Sequence, residues 1–185
     1  MQFRFPLVCL ESEIKIFFSK GGESNGFPKD SYGKIKSDKG KEHTKRVVEL
    51  CSRFADLFSD EIDRKLLLDA AWLHDIAKSK HGEMHHEKEC IIEILNEYEE
   101  AEIADRKDDI AEIISAHKKA FNPSSHELES AILRICDKLD RFKKGKDDAE
   151  EKCKGSLKRI SKILPTEQYE KLKQFTLEII EENKL

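Results

Sequence analysis

The chain has 185 residues, the size of one ordinary domain with a real hydrophobic core and room for an appendage. Charged residues make up 39% of the sequence, yet the formal net charge is only −4, so both signs are interspersed on a polar surface. Without a basic excess, a nucleic-acid-binding protein is not expected. No apolar run reaches the length of a membrane span, so no membrane partner is expected either.

The N-terminal stretch and the cysteines indicate the compartment. The first residues, MQFRFPLVCLESEIKIFF, lack the form of a signal peptide, because Glu11, Glu13 and Lys15 interrupt their apolar part. The cysteines are widely spaced and form no CxxC pair, so a thiolate zinc site is not expected. They are Cys9, Cys51, Cys90, Cys136 and Cys153. We therefore expect reduced thiols that act as small hydrophobic side chains in a cytoplasmic protein.

Hydrophobic periodicity divides the chain into an N-terminal extension, 1–40, and a helical domain, 41–185. The extension combines two weakly alternating apolar stretches, which predict short strands or a hairpin, with a linker or loop from Gly21 to Gly40. The predicted helices are 41–58, 61–78, 84–99, 106–119, 125–142, 147–163 and 166–183. The predicted fold is therefore an all-α bundle of about six to seven helices.

Local signals predict where three of these helices begin. Asp60 is the predicted N-cap of the second helix, and Ser124 or Ser125 is predicted to open the fifth. Pro165 suits the first turn of the last helix, since its missing N–H would have no partner there.

Five of the predicted helices each place a histidine or an aspartate in line with an apolar stripe. These residues are His43, His74, His86, His117 and Asp137. A single inward histidine is more often a hydrogen-bonded core residue than a ligand. Buried imidazoles and carboxylates need partners, however, and a shared divalent cation would satisfy all five together. Such ligands suit iron, manganese, cobalt, nickel or zinc, with magnesium also a candidate.

His85 is an alternative to His86 as the inward residue. His86 aligns with Cys90 and Ile94, whereas His85 aligns with the polar Glu89. A shift of one residue in the register of this helix would exchange the two histidines.

The order His43, His74-Asp75, Asp137 resembles the H…HD…D signature of the HD superfamily of metal-dependent phosphohydrolases. LHDIAK, around His74 and Asp75, and CDKLDR, around Asp137, are similar to the family segments that carry these residues. The resemblance covers about residues 41–142 and implies that the HD metal-binding core spans them, with C-terminal helices at 147–183 outside it. It implies that His43, His74, Asp75 and Asp137 hold one metal ion. In members with two metals, His86 and His117 stand where the further ligands would fall.

The resemblance also implies a reaction. In a two-metal site Asp75 would bridge the ions, and a metal-activated water would attack phosphorus in a small phosphorylated substrate, expected to be a nucleotide. Lys78, one turn after His74, would contact phosphate oxygens. A cation at this helix end would also interact with the helix dipole, and that interpretation stays open.

Further basic residues are candidates for substrate binding. They are His81, in the loop after the HD helix, and His126 and Arg141, on the fifth helix. Arg134, on the same helix, is instead interpreted as a solvated surface residue.

Two other functions stay open alongside hydrolysis. One is oxygen-dependent chemistry at a di-iron site, as in HD-like oxygenases. The other is a non-catalytic domain that binds a nucleotide as a signal. Whether residues 1–40 form a lid, a dimer contact or nothing ordered stays open, and a dimer contact would give a homodimer.

Overall fold

The computed structural model describes residues 38–76, 88–97, 101–117, 122–143, 145 and 147–183. Within these ranges the chain forms helices and no β-strand, which confirms the all-α prediction. The helices are α1 Asp38–Leu57, α2 Arg64–Leu73, α3 Lys88–Leu95, the single turn α4 Ala101–Ala104, α5 Lys107–Ala116, α6 Glu127–Lys143, α7 Ala149–Ile160 and α8 Thr166–Glu182. The strands or hairpin predicted near the N-terminus lie outside the described residues.

Helix α6 lies at the centre of the described bundle, because it packs against α1, α2, α5, α7 and α8. The core that these helices share includes Val47, Phe54, Leu67, Ile113 and Ile132, all fully buried. Burying each such side chain stabilises the fold by roughly 1.5–3 kcal/mol. The polar residues of α6 are therefore held in a closely packed frame.

The C-terminal helix α8 is attached to α1 and to the turn after it. The rings of Phe54 and Phe175 meet edge to face, with their centroids 4.9 Å apart. Lys171 Nζ lies 2.8 Å from a carboxylate oxygen of Glu61. α8 therefore extends the apolar surface that holds α1 in place.

The start of α2 differs from the prediction. α2 begins at Arg64, and its N-cap is Asp63, whose side chain accepts a hydrogen bond of 2.9 Å from the backbone N–H of Leu66. Asp60 lies in the preceding turn and is exposed, so its prediction as the N-cap was wrong. Both aspartates have the right side chain for a cap, and the packing of this turn selects the later one.

The start of α6 also differs from the prediction. The helix begins at Glu127, directly after His126, whose φ of 52° lies in the left-handed region. Ser124 does not cap it: its backbone N–H and its hydroxyl both donate to Glu112 Oε1, each at 2.7 Å. These bonds and Lys88 outweigh the effect of burial and hold the pKa of Glu112 at about 2.

Pro165 lies one position earlier than predicted. It is the N-cap of α8, so the helix itself begins at Thr166. None of the described helices combines the length and the apolar character needed to cross a membrane.

Replacing Asp63 by alanine removes the cap of α2 and should lower the free energy of unfolding by about 1 kcal/mol. The lost ion pair with Arg106 is partly exposed, with the Asp63 side chain 52% accessible, and adds little. Urea denaturation measures the change, and Asp60→Ala is the matched control, expected to stay within about 0.5 kcal/mol of the parent. Equal stability of the two variants would contradict the assignment of Asp63 as the cap.

Candidate metal centre

Residues from three elements meet in the interior of the bundle. His43 comes from α1, His74 and Asp75 follow directly after α2, and Asp137 comes from α6. The Nε2 atom of His43 lies 3.1 Å from His74 Nε2, 3.5 Å from Asp75 Oδ2 and 3.4 Å from Asp137 Oδ1. We call these four residues the central cluster.

His74 lies at the end of α2 rather than within it, because the helix ends at Leu73 and His74 is the C-cap. The ring is fully buried, and its Nδ1 lies 2.7 Å from the carbonyl oxygen of Ala71. A carbonyl oxygen can only accept, so Nδ1 donates and the Nε2 of the neutral ring carries a lone pair. Burial lowers the pKa of His74 despite the nearby carboxylates, which favours this neutral form.

His117 repeats the same local arrangement at the end of α5. It is the C-cap of that helix, it is fully buried, and its Nδ1 donates to the carbonyl oxygen of Ile114. Its ring lies edge to face with that of His74, with centroids 5.7 Å apart. The structure therefore brings His117 next to the central cluster and leaves its Nε2 as an acceptor.

The ring of His43 is oriented by a contact that the sequence did not predict. Its Nδ1 lies 2.8 Å from Oδ2 of Asp140, one helical turn beyond Asp137 on α6. Asp140 is fully buried, and its other oxygen, Oδ1, accepts a hydrogen bond of 2.5 Å from Arg46 Nε. Because the carboxylate accepts from Nδ1, the Nε2 of His43 also points its lone pair at the cluster.

The spacing of His43, His74 and Asp75 fits a transition metal ion, and Asp137 lies beside them through its contact with His43. Donor atoms bound to one ion at about 2.1 Å lie about 3.0 Å apart at a right angle and about 3.4 Å apart at the tetrahedral angle. The separations around His43 Nε2 run from 3.1 to 3.5 Å, and His74 Nε2 lies 3.6 Å from Asp75 Oδ2. One ligand atom from each of His43, His74 and Asp75 lies within 4.8 Å of the other two, so these residues could hold a metal ion.

The surroundings of His43 favour its protonated form when no cation is bound. Burial alone would lower the pKa of His43, but its hydrogen bonds to Asp137 and Asp140 and the charge of Asp75 raise it above the ordinary value. Burial would likewise raise the pKa of Asp137, yet the bond from His43 and the charge of Lys138 hold it well below its usual range. The cluster thus favours positive charge at its centre.

Two predicted substrate-binding residues are not brought to the central cluster. His126 directly precedes α6 and lies eleven residues before Asp137, which places it roughly 16 Å away along the axis of that helix. Its Nε2 lies 3.1 Å from Asp109 Oδ1 on α5. Arg141 is nearer in sequence, but its guanidinium is bound to the carboxylate of Asp148 at the start of α7.

Four other predicted residues lie outside the described residues. They are Lys78, His81, His85 and His86. The choice between His85 and His86, and the roles of all four, therefore stay predictions.

Arg134 was interpreted wrongly from the sequence. Arg134 is only 2% exposed, and its Nη1 donates a hydrogen bond of 2.8 Å to the backbone carbonyl of His117. Burial lowers its pKa to about 10. The sequence did contain a signal that Arg134 is buried. Arg134 lies three residues before Asp137 on α6, and that spacing places both residues on the same inward face.

Comparison with known proteins identifies the family. The model of the HD domain family matches residues 40–141, more than half of the 185-residue chain. The chain therefore belongs to the HD domain family, and the resemblance read from its sequence is confirmed. HD domains are typical of metal-dependent phosphohydrolases, although some are not catalytic. No curated protein and no solved structure matches the chain significantly.

The raised pKa of His43 gives the metal-free protein a pH-dependent stability. Its contribution is fully present below the ordinary histidine value of about 6.5 and is lost as pH rises through the raised folded-state pKa. The pKa of His74 is lowered, so its contribution to stability rises with pH, and it does so only below about pH 6.5. The wild-type chain in EDTA should therefore lose stability above that pH relative to His43→Gln.

Urea denaturation of both proteins across pH 5–9 measures this difference. If the gap between them does not change above about pH 6.5, His43 does not hold the proton inferred here.

Proposed function

We propose that this chain is a metal-dependent hydrolase that cleaves phosphate ester or anhydride bonds in a small nucleotide. The observation that carries the proposal is the convergence of buried acceptors. The Nε2 atoms of His43 and His74 lie 3.1 Å apart, and carboxylate oxygens of Asp75 and Asp137 lie 3.5 and 3.4 Å from the Nε2 of His43. Burying such groups together without a cation is costly.

The central cluster would hold the ion. Imidazole nitrogens and carboxylate oxygens without thiolate suit iron, manganese, cobalt, nickel or zinc, and magnesium less well. When bound, a divalent ion acts as a Lewis acid and lowers the pKa of coordinated water, so that a water can attack phosphorus. His117 beside the cluster supports a second ion, for which His86 remains the further predicted ligand.

The accessible side of the cluster indicates how a substrate would approach. His74 is fully buried, whereas the side chains of Asp75 and Asp137 keep some exposure. Lys138 lies on that side, with its Nζ 2.5 Å from Asp137 Oδ2 and its side chain 22% exposed. We infer that Lys138 contacts a phosphate oxygen of the bound substrate and offsets charge that develops during hydrolysis. Lys78 and His81 remain predicted contacts.

The composition and the cysteines of the chain support a small substrate and a reducing compartment. A net charge of −4 disfavours a polymeric nucleic acid, which supports a small nucleotide. The described cysteines, Cys51, Cys90, Cys136 and Cys153, are all free thiols. Free thiols are typical of a reducing compartment, and we infer the cytoplasm.

The proposal is tested on a panel of phosphomonoesters, phosphodiesters and nucleoside polyphosphates. Each is assayed with Mn²⁺, Co²⁺, Mg²⁺ and, without oxygen, Fe²⁺. We expect metal-dependent release of phosphate or nucleotide from at least one substrate. Asp75→Asn should lower kcat by at least about 100-fold, since a lost ligand costs more than the roughly 10–100-fold of an outer-shell change.

Asp69→Asn is the matched control. It makes the same substitution at another buried carboxylate, on α2, where Asp69 Oδ2 lies 3.0 Å from Lys65 Nζ. Equal activity of the two variants would contradict the proposed site. Nucleotide binding without turnover under every metal would identify a sensor domain, and oxygen consumption without hydrolysis would identify an oxygenase.

A further inference from the structure

We propose that Asp140, in a positioning dyad with Arg46, keeps His43 in the tautomer with its proton on Nδ1. The dyad would thereby aim the Nε2 lone pair of His43 at the central cluster. Its value for metal binding rests on the proposed function, but its effect on the tautomer does not.

The geometry of the dyad is that of a chain of hydrogen bonds that links α6 to α1. Asp140 Oδ2 lies 2.8 Å from His43 Nδ1, and Asp140 Oδ1 lies 2.5 Å from Arg46 Nε. Arg46 follows His43 by three residues, so both side chains extend from the same face of α1. The carboxylate between them is fully buried, so its ionised form depends on these partners.

The dyad determines which nitrogen of His43 carries the proton. An ionised carboxylate accepts and cannot donate, so the neutral ring must present Nδ1–H to Asp140. The opposite tautomer would place an N–H on Nε2, the atom that lies 3.1 Å from His74 Nε2 and near two carboxylates. That proton would block the lone pair that a metal requires.

Because of Arg46, replacing Asp140 by asparagine should change the tautomer of His43, which a loss of packing alone would not do. In Asp140→Asn, the guanidinium of Arg46 can only donate, so the amide oxygen of the new side chain should turn toward Arg46. The amide NH₂ then faces His43 Nδ1 and donates to it. His43 must move its proton to Nε2, so this nearly isosteric substitution should invert the tautomer.

Removing Arg46 in the same background should reverse the inversion. In the double variant Arg46→Met/Asp140→Asn, no guanidinium fixes the amide, which can rotate and accept from Nδ1–H. The single variant Arg46→Met should keep the wild-type tautomer, because the carboxylate still only accepts. Arg46→Met thus restores the proton on Nδ1 that Asp140→Asn removed.

The test uses the full chain in two measurements. The first is the His43 tautomer in the metal-free protein, read from long-range ¹H–¹⁵N correlations of the imidazole rings at a pH where they are neutral. The second is the affinity for Co²⁺, measured by competition with a chelator. Glu129→Gln is the control, since Glu129 is another buried carboxylate on α6, bound to the backbone N–H of Asp63 at 3.0 Å.

We expect Nδ1–H in the wild type, in Arg46→Met and in Glu129→Gln, and Nε2–H in Asp140→Asn. Asp140→Asn should weaken Co²⁺ binding by roughly 100-fold, the upper end for an outer-shell partner. The double variant should regain Nδ1–H and at least about tenfold in affinity. A change of charge alone would alter the affinity without moving the proton.

The proposal is overturned if neutral His43 of the wild type carries its proton on Nε2, a result that needs no variant to fold. It is also overturned if Asp140→Asn keeps Nδ1–H, or if Arg46→Met does not reverse the change in that background. If the tautomers behave as expected but the wild type binds no Co²⁺, the dyad stands and the proposed metal-dependent function fails.

Discussion

The structure depends on one constraint: three histidine rings are buried together with their Nδ1 atoms already engaged. His74 and His117 each donate to a backbone carbonyl three residues earlier, and His43 is held by Asp140. All three rings therefore present an acceptor nitrogen, and two carboxylates lie beside them. Groups that only accept cannot satisfy one another, so the interior requires a proton or a cation.

The rest of the bundle holds these acceptors at fixed positions. α6 packs against most of the other described helices and carries both Asp137 and Asp140. Arg134, also on α6, donates to the backbone carbonyl of His117 and so ties the end of α5 to the same helix. The C-terminal ends of α2 and α5 thus meet α1 and α6 at the central cluster. Moving α1 relative to α6 would break the hydrogen bond that orients the ring of His43, and moving α5 relative to α6 would break the bond from Arg134.

The sequence predicted the residues whose orientation follows from periodicity. His43, His74 and Asp137 interrupt apolar stripes, and the stripes point inward whatever the details of packing. The all-α architecture and the family followed from the same pattern and from the order of the motif. The metal-ligand roles of the predicted residues stay predictions. The structure brings His43, His74, Asp75 and Asp137 together with His117 beside them, and His86 lies outside the described residues.

Other features could not be predicted because they depend on partners distant in sequence. Asp140 lies in the charged segment DKLDR and looks like a surface residue until α1 packs His43 and Arg46 against it. Arg134 has the composition of a solvated helix face, yet the end of α5 supplies a carbonyl that it caps. The N-cap of α2 depended on the packing of a turn that offered two aspartates, Asp60 and Asp63. In each case, contacts between residues distant in sequence determined the role of the side chain.

Anomalous diffraction from crystals of the protein grown with Co²⁺ tests the central claim most directly, because it locates the ion without relying on any substrate. We predict a peak about 2.0–2.2 Å from the Nε2 atoms of His43 and His74 and from carboxylate oxygens of Asp75 and Asp137. An anomalous map without a peak between those residues, from protein shown to be folded and equilibrated with excess Co²⁺, would contradict the account. The buried acceptors would then be satisfied by protons alone.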